Sequence, residues 1–247
     1  MAKHHDMDQI RDAIGEFARL GPLELSDSQQ SCLSLYLLDF PRWNLRFHFS
    51  KYTSPADLIN HLILPSLTLS VLLPESGSLI DLGSGPGIPG LILAIARPDL
   101  LMTCADSRTV STEFIQATAA ALKLANVRVV QGRAESLAHD ANFRESFDIA
   151  LARSFAPIPV VVEIATAFIR IGSLIIIPSS STVSSRLADY AELQYIVGCA
   201  FEKIGAVSVP LPQIGETFFA AFRKLAPTLA PYPRTWKTMQ RSPLWTS

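Results

Sequence analysis

From residue 78 onward the chain alternates short apolar runs with longer stretches of mixed polarity. Runs at 78–82, 100–105, 127–131, 147–152 and 173–178 predict strands, and the stretches near 88–97, 108–124 and 157–170 predict helices between them. That rhythm implies a doubly wound, mainly parallel sheet with helices on both faces. Further strands are expected near 194–202 and 217–223, as an antiparallel closing pair. Upstream, residues 8–40 read as two helices. Ile10, Ile14, Phe17 and Leu20 share one stripe, and Ser26 with Gln29 forms a capping box before the second. The segment "PRWNLRFHFSKYTS", 41–54, reads as a loop rich in aromatic and basic residues, after which Ser54 caps and Pro55 opens a third helix running toward Ser70. "PSSSTVSS", 178–185, reads as a short biased loop. The expected division is a helical cap over 1–72, a doubly wound ligand-binding domain over 73–225 and a basic tail over 226–247.

Composition sharpens this picture at a few points. The 247 residues are 49% hydrophobic, enough for one substantial core. Net charge is −1, so no general polyanion-binding field exists and a nucleic-acid surface has to be local. One such surface is expected at the end. No acid follows Glu216, whereas Arg223, Lys224, Arg234, Lys237 and Arg241 do. Cys32, Cys104 and Cys199 are far apart and odd in number, which argues against a disulfide framework. The histidines show no zinc spacing, so no metal site is expected. The N-terminus is too polar for a signal peptide, and the greasy stretch Leu62–Leu73 is short and contains Pro65. The expectation is a soluble cytoplasmic protein with no membrane partner.

The candidate chemistry lies in "SLIDLGSGPGIPGLILAIA", 78–96. A glycine cluster at a strand end lets backbone approach a ligand, and the next helix offers its amides. The loop fits GxGxxG, the dinucleotide fingerprint. It fits equally Asp81-x-Gly83-x-Gly85-x-Gly87, the pattern of S-adenosylmethionine (SAM) methyltransferases. Asp81 at the strand end repels a pyrophosphate but suits the cationic amino group of a methionine moiety. Asp106 closes the next strand, where a carboxylate can accept both ribose hydroxyls, although dinucleotide folds place an acid there too. No Tyr-x-x-x-Lys pair exists in the chain. After the third strand comes "GRAESL", 132–137, whose Ala134 and Glu135 are the candidates for reading an adenine edge.

For the methyl acceptor, the Asn/Asp-Pro-Pro-aromatic turn of amino-group DNA methylation is absent; "ARSFAP", 152–157, stands in its place. No cysteine lies in a loop suited to pyrimidine carbon methylation. A guanine N7 has an in-plane lone pair and no proton to lose, so holding it in line with a sulfonium methyl suffices.

"NL" at 44–45, His61, "IDLGSGPGIPGLILAIARPDL", "DS" at 106–107, "GRAE" at 132–135, "FDIALARSFAPI" at 147–158 and "PYPR…SPL" occur in the order of the bacterial methyltransferase G family, also called glucose-inhibited division protein B. The chain resembles that family over roughly 40–245. The resemblance implies a Rossmann-like class I SAM-dependent methyltransferase fold with an N-terminal helical cap, SAM as cofactor, and 16S ribosomal RNA or the small ribosomal subunit as partner, methylated at a guanine N7. By position it places SAM contacts on Gly83, Ile88, Ala134, Glu135 and Arg153. The loop reading adds Asp81, Ser84, Gly85, Gly87 and Asp106. Arg153, an arginine after a buried strand and by default a surface or salt-bridge residue, becomes the candidate catalytic residue, engaging either the SAM carboxylate or an RNA phosphate.

The chain departs from the family at "RTVSTEF" after the Asp-Ser pair, where a basic Gly-Lys-Arg run is usual. Other departures are Pro178-Ser179-Ser180, and Leu64-Pro65 after His61 in place of Asp-Ser. Two rival readings stay open on sequence. One is a catalytically silent SAM fold binding RNA or protein, and the other a dinucleotide oxidoreductase. The expected RNA surface joins the tail from Arg223 to Arg241 with Arg42, Arg46 and Lys51, Trp43 and Tyr52 being available to stack on bases.

Overall fold

The computed structural model describes residues 2–21, 23–180, 197–202, 207–208 and 216–244. The first two helices are α1 (Ala2–Leu20) and α2 (Asp27–Phe47). The capping box forms as expected: Ser26 Oγ accepts from Gln29 N, and Gln29 Oε1 accepts from Ser26 N at 2.8 Å. α2 does not stop at Pro41, contrary to the loop expected from residue 41. Proline costs a helix interior about 3 kcal/mol. Pro41 lies on the exposed face, while Leu33, Tyr36, Leu37, Phe40 and Asn44 continue one buried stripe. Tyr36, Phe40 and Trp43 all meet Phe114, with ring centroids 5.2–6.3 Å apart. That packing carries the helix past the lost hydrogen bond.

Ser54 caps α3 (Pro55–Leu58), which runs on through a π-helical turn (Ile59–Ile63), α4 (Leu64–Leu69) and a 3₁₀ turn (Ser70–Leu72). By length and composition this rod could cross a membrane. Here Leu58, Ile59, Ile63, Leu64 and Leu67 are buried in the core that also holds Ile10, Phe17 and Leu37, so its apolarity has an internal use.

The sheet begins with β1 (Gly77–Leu82), followed by α5 (Gly90–Ala96), β2 (Leu100–Asp106), α6 (Thr109–Ala121), β3 (Val127–Gln131), α7 (Ala134–Leu137), β4 (Phe147–Ala152), α8 (Ile158–Thr166) and β5 (Ile169–Ser179). β1 to β5 pair in parallel. β6 (Cys199–Glu202), β7 (Val207–Ser208) and β8 (Glu216–Lys224) add antiparallel pairs. The order is β3-β2-β1-β4-β5-β8-β6, with β7 beside β8. β5 starts earlier than residue 173: Ile169 pairs with Phe147, and the register shifts before Leu174 pairs with Ile149, with Gly172 at φ +88° in the irregularity. Residues 194–196 of the strand expected near 194–202, and most of the loop expected at 178–185, lie outside the described residues.

After β3 the chain returns to the other side of β1 to form β4. The C-terminal ends of β1 and β4 therefore flank a topological switch point, where doubly wound sheets open a crevice. The segment after β8 closes with α9 (Trp236–Arg241) and is tied down by backbone acceptors. Arg144 donates to the Thr228, Leu229 and Tyr232 carbonyls, and the His139 ring pairs with the Pro233 carbonyl at 2.9 Å.

Candidate active site

The glycine loop leaves β1 and is fixed by its own backbone. Gly83 N and Ser84 N both donate to the Ala105 carbonyl, and Gly87 N and Ile88 N to that of Ser84. Two residues from elsewhere clamp it. Asp106 Oδ2 accepts from Gly85 N at 2.8 Å, and the buried Tyr36 hydroxyl of α2 donates to the Pro86 carbonyl at 3.0 Å. Gly83 sits at φ +67°, and a Cβ there would lie 2.3 Å from Phe155, so only glycine passes beneath that ring.

The loop edges a cavity of about 740 Å³ that opens at the switch point. Of the residues singled out in the sequence, Gly83, Ser84, Gly85, Ile88, Asp106, Ala134, Glu135 and Arg153 line it. Asp81 and Gly87 do not. Gly87 faces Leu91 and Ile115 of the core. Asp81 is fully buried beneath the loop, and its Oδ2 accepts from Gly90 N at 2.9 Å, capping α5, while Oδ1 has no partner. Burial pushes its carboxyl up to about 7, against the pull of the Gly90 amide.

Asp81 gives a pH-dependent signature. Unfolded, the carboxyl titrates near 3.8, so the folded chain holds this proton more tightly than the unfolded chain does. The stability it contributes is full below about 3.8 and is lost as pH rises through about 7. At pH 8 the buried charge costs up to ~4 kcal/mol, at 1.36 kcal/mol per pH unit. Asp81→Asn is therefore expected to melt higher than the parent at pH 8, with the gap narrowing steadily toward pH 4. Parallel melting curves across that range would count against this.

Asp106 closes β2 and is held from both sides, Oδ1 accepting from Arg108 N and Oδ2 from Gly85 N, each at 2.8 Å. A carboxylate has about four acceptor sites, so two remain for a ligand. Glu135, in the first turn of α7, takes Arg133 Nε on Oε1 at 3.0 Å. Its Oε2 is buried without a partner. A desolvated carboxylate oxygen beside a cavity is an acceptor waiting for a donor.

Arg153 follows β4 and has no carboxylate within ion-pair distance among the described residues, so the salt-bridge reading of this residue does not hold. Its Nη2 donates to the His61 carbonyl at 2.6 Å. That carbonyl lies in the π-helical turn. Half-burial pulls the guanidinium below its ordinary pKa, an effect opposed by Tyr52, Asp81 and Tyr36.

Aromatic residues line the cavity as well, of which Trp236 carries no signal in the sequence. Phe155 covers Gly83, and Trp236, from the C-terminal helix, lies 5.8 Å from the Phe155 ring with the Arg133 guanidinium 4.9 Å from its own centroid. Tyr52 stacks on His61 at 4.4 Å. The tail, by contrast, loses most of its free charge. Arg234 forms a bidentate pair with the buried Glu163, Arg223 pairs with Glu202, and Lys224 is fully buried against Glu145. The expected tail surface is reduced to Lys237 and Arg241, both exposed. Among the described residues, no group of three or more His, Cys, Asp or Glu side chains is placed to hold a metal ion.

A family model described as rRNA small subunit methyltransferase G matches residues 29–192. Ribosomal RNA small subunit methyltransferase G of Roseiflexus castenholzii is 32% identical over 213 residues, which cover 86% of this chain and 90% of that protein. The protein of the same description from Alkaliphilus oremlandii is 28% identical over 239 residues, covering 96% and 99%. Among solved structures, the TYW2 protein of Pyrococcus horikoshii in complex with MeSAdo aligns with a TM-score of 0.50 at 12% identity, covering 70% of this chain and 64% of that one. A transferase of the same organism, PH0793, aligns at 0.51 with 12% identity over the same shares. At such identity the two structures speak to the fold alone.

Proposed function

Because the chain belongs to the rRNA small subunit methyltransferase G family, we propose that it transfers the methyl group of SAM to a guanine N7 of 16S ribosomal RNA, in the cytoplasm. The observation that carries this reading is the convergence of Asp106, Ala134, Glu135 and Arg153, from the ends of β2, β3 and β4, on one cavity edged by the glycine loop.

The residues present fit SAM. A Cβ built on Gly85 meets nothing within 4 Å, so this glycine leaves open the space a side chain would take. The unpaired Glu135 Oε2 suits an exocyclic amino donor, and the two free acceptor sites of Asp106 suit a ribose diol. Asp81 lies beneath the loop rather than in the cavity, so its part is to hold the Gly90 amide behind the loop. SAM supplies an electrophilic methyl group on a sulfonium centre.

The protein's own task is then positioning. An N7 nucleophile carries no proton, so no general base is required, and the rate gain comes from alignment and from excluding water. Arg153 lines the cavity with its guanidinium held by the His61 carbonyl and no ionic partner among the described residues, which suits it to hold a carboxylate or phosphate at the reacting end. Passage of a labelled methyl group from SAM to 16S rRNA, with the product nucleoside identified, tests the proposal.

A further inference from the structure

Three cations succeed one another along the exit of α2 and meet no acid among the described residues. Between Asp39 and Asp57 the sequence has no carboxylate, while Arg42, Arg46 and Lys51 fall inside that window. All three are exposed, and none has a described carboxylate within ion-pair distance. Two of them, and Arg108 across the cavity mouth, are held in another way. Arg46 lies 5.0 Å from the Phe47 ring centroid, Lys51 5.1 Å from that of Tyr52, and Arg108 5.6 Å from that of Phe49. An aromatic face orients a cation without neutralising it, so the charge stays directed at solvent.

The backbone beneath is preorganised. His48 ends α2 in the left-handed region at φ +51° and turns the chain toward the cavity. The buried Asn44 then pins residues 50–52, its amide donating to the Ser50 and Tyr52 carbonyls at 3.1 Å and its oxygen accepting from Ser50 N at 2.8 Å. Arg108 ties in from β2, donating to the Phe47 carbonyl at 3.3 Å. Residues 49–52 themselves line the cavity, so the cationic rim and the reaction site are continuous.

We infer that the rim of Arg42, Arg46, Lys51 and Arg108, set around the aromatic segment 47–52, is the surface over which the RNA backbone reaches the cavity, in place of the tail. This rests on the reading of 16S rRNA as acceptor. A phosphodiester chain is the polyanion that a row of cations without ionic partners, three of them ring-held, matches beside such a cavity.

The test measures binding of in vitro transcribed 16S rRNA as a function of salt for three proteins: the parent, the triple variant Arg42→Gln/Arg46→Gln/Lys51→Gln, and the tail variant Lys237→Gln/Arg241→Gln. Each phosphate contact on a single strand contributes roughly 0.7 to the slope of log affinity against log salt, so the triple variant should show a slope shallower by about 2 and the tail variant the parent's slope. Melting temperature shows that the variants fold. If the parent binds and the triple variant matches it in affinity and slope, the rim is not the RNA surface. Loss in the tail variant alone returns the contact to the tail and overturns the inference. Loss seen only with assembled small subunits means that the rim meets a ribosomal protein, and likewise overturns it. A parent that binds neither 16S rRNA nor small subunits defeats the reading of the substrate itself.

Discussion

Asp106→Ala is expected to lower the affinity for S-adenosylhomocysteine by about one to two orders of magnitude. A hydrogen bond to a charged acceptor contributes roughly 1.5–3 kcal/mol, which sets the scale for a lost ribose contact. The carboxylate also holds the Gly85 and Arg108 amides, so its removal loosens the loop as well as emptying the ribose position. Asp106→Asn keeps one acceptor oxygen and is expected to fall between parent and Ala variant. Calorimetry on the three proteins reads this out, with NAD as a second ligand. Unchanged affinity in the Ala variant would remove Asp106 from the cofactor site, and NAD binding by the parent would restore the dinucleotide reading of the loop.

Arg153→Ala is expected to lower turnover about a hundredfold or more, the scale at which small misplacements of a reacting group are felt. Stability should change little. Its hydrogen-bond partner is the His61 carbonyl, and no ion pair is lost with it. Turnover per folded molecule and melting temperature, measured on the same variant, separate the two roles. A large drop in melting temperature with normal turnover would make Arg153 a structural residue.

The parts of this molecule that were legible in its sequence are those encoded locally. The run at 147–152 is a strand with those bounds because a buried parallel strand needs nearly continuous apolar sequence, and the glycine pattern marks the loop after β1 because positive φ values demand it. The features that escaped depend on contacts between distant residues. Pro41 reads as a break, and only the meeting of Tyr36, Phe40 and Trp43 with Phe114 keeps α2 intact. Arg234 reads as a free tail cation, yet Glu163, buried in α8, claims it with two side-chain bonds. Arg153 shows no sign in its own segment of the carbonyl, 92 residues away, that holds it. Asp81 was legible as important but not as buried, since strand-end position alone does not say whether a carboxylate faces the ligand or the helix behind it.

A single incubation decides whether this cavity carries SAM-dependent methyl transfer to 16S rRNA. The purified chain is mixed with methyl-labelled SAM and 16S rRNA from cells lacking the gene, and the RNA is then digested and its labelled nucleoside identified by mass spectrometry. The expected result is label in 7-methylguanosine, approaching one methyl group per 16S molecule and lost in Arg153→Ala. No label with either naked 16S rRNA or small subunits, or label in any nucleoside other than 7-methylguanosine, would overturn the proposal.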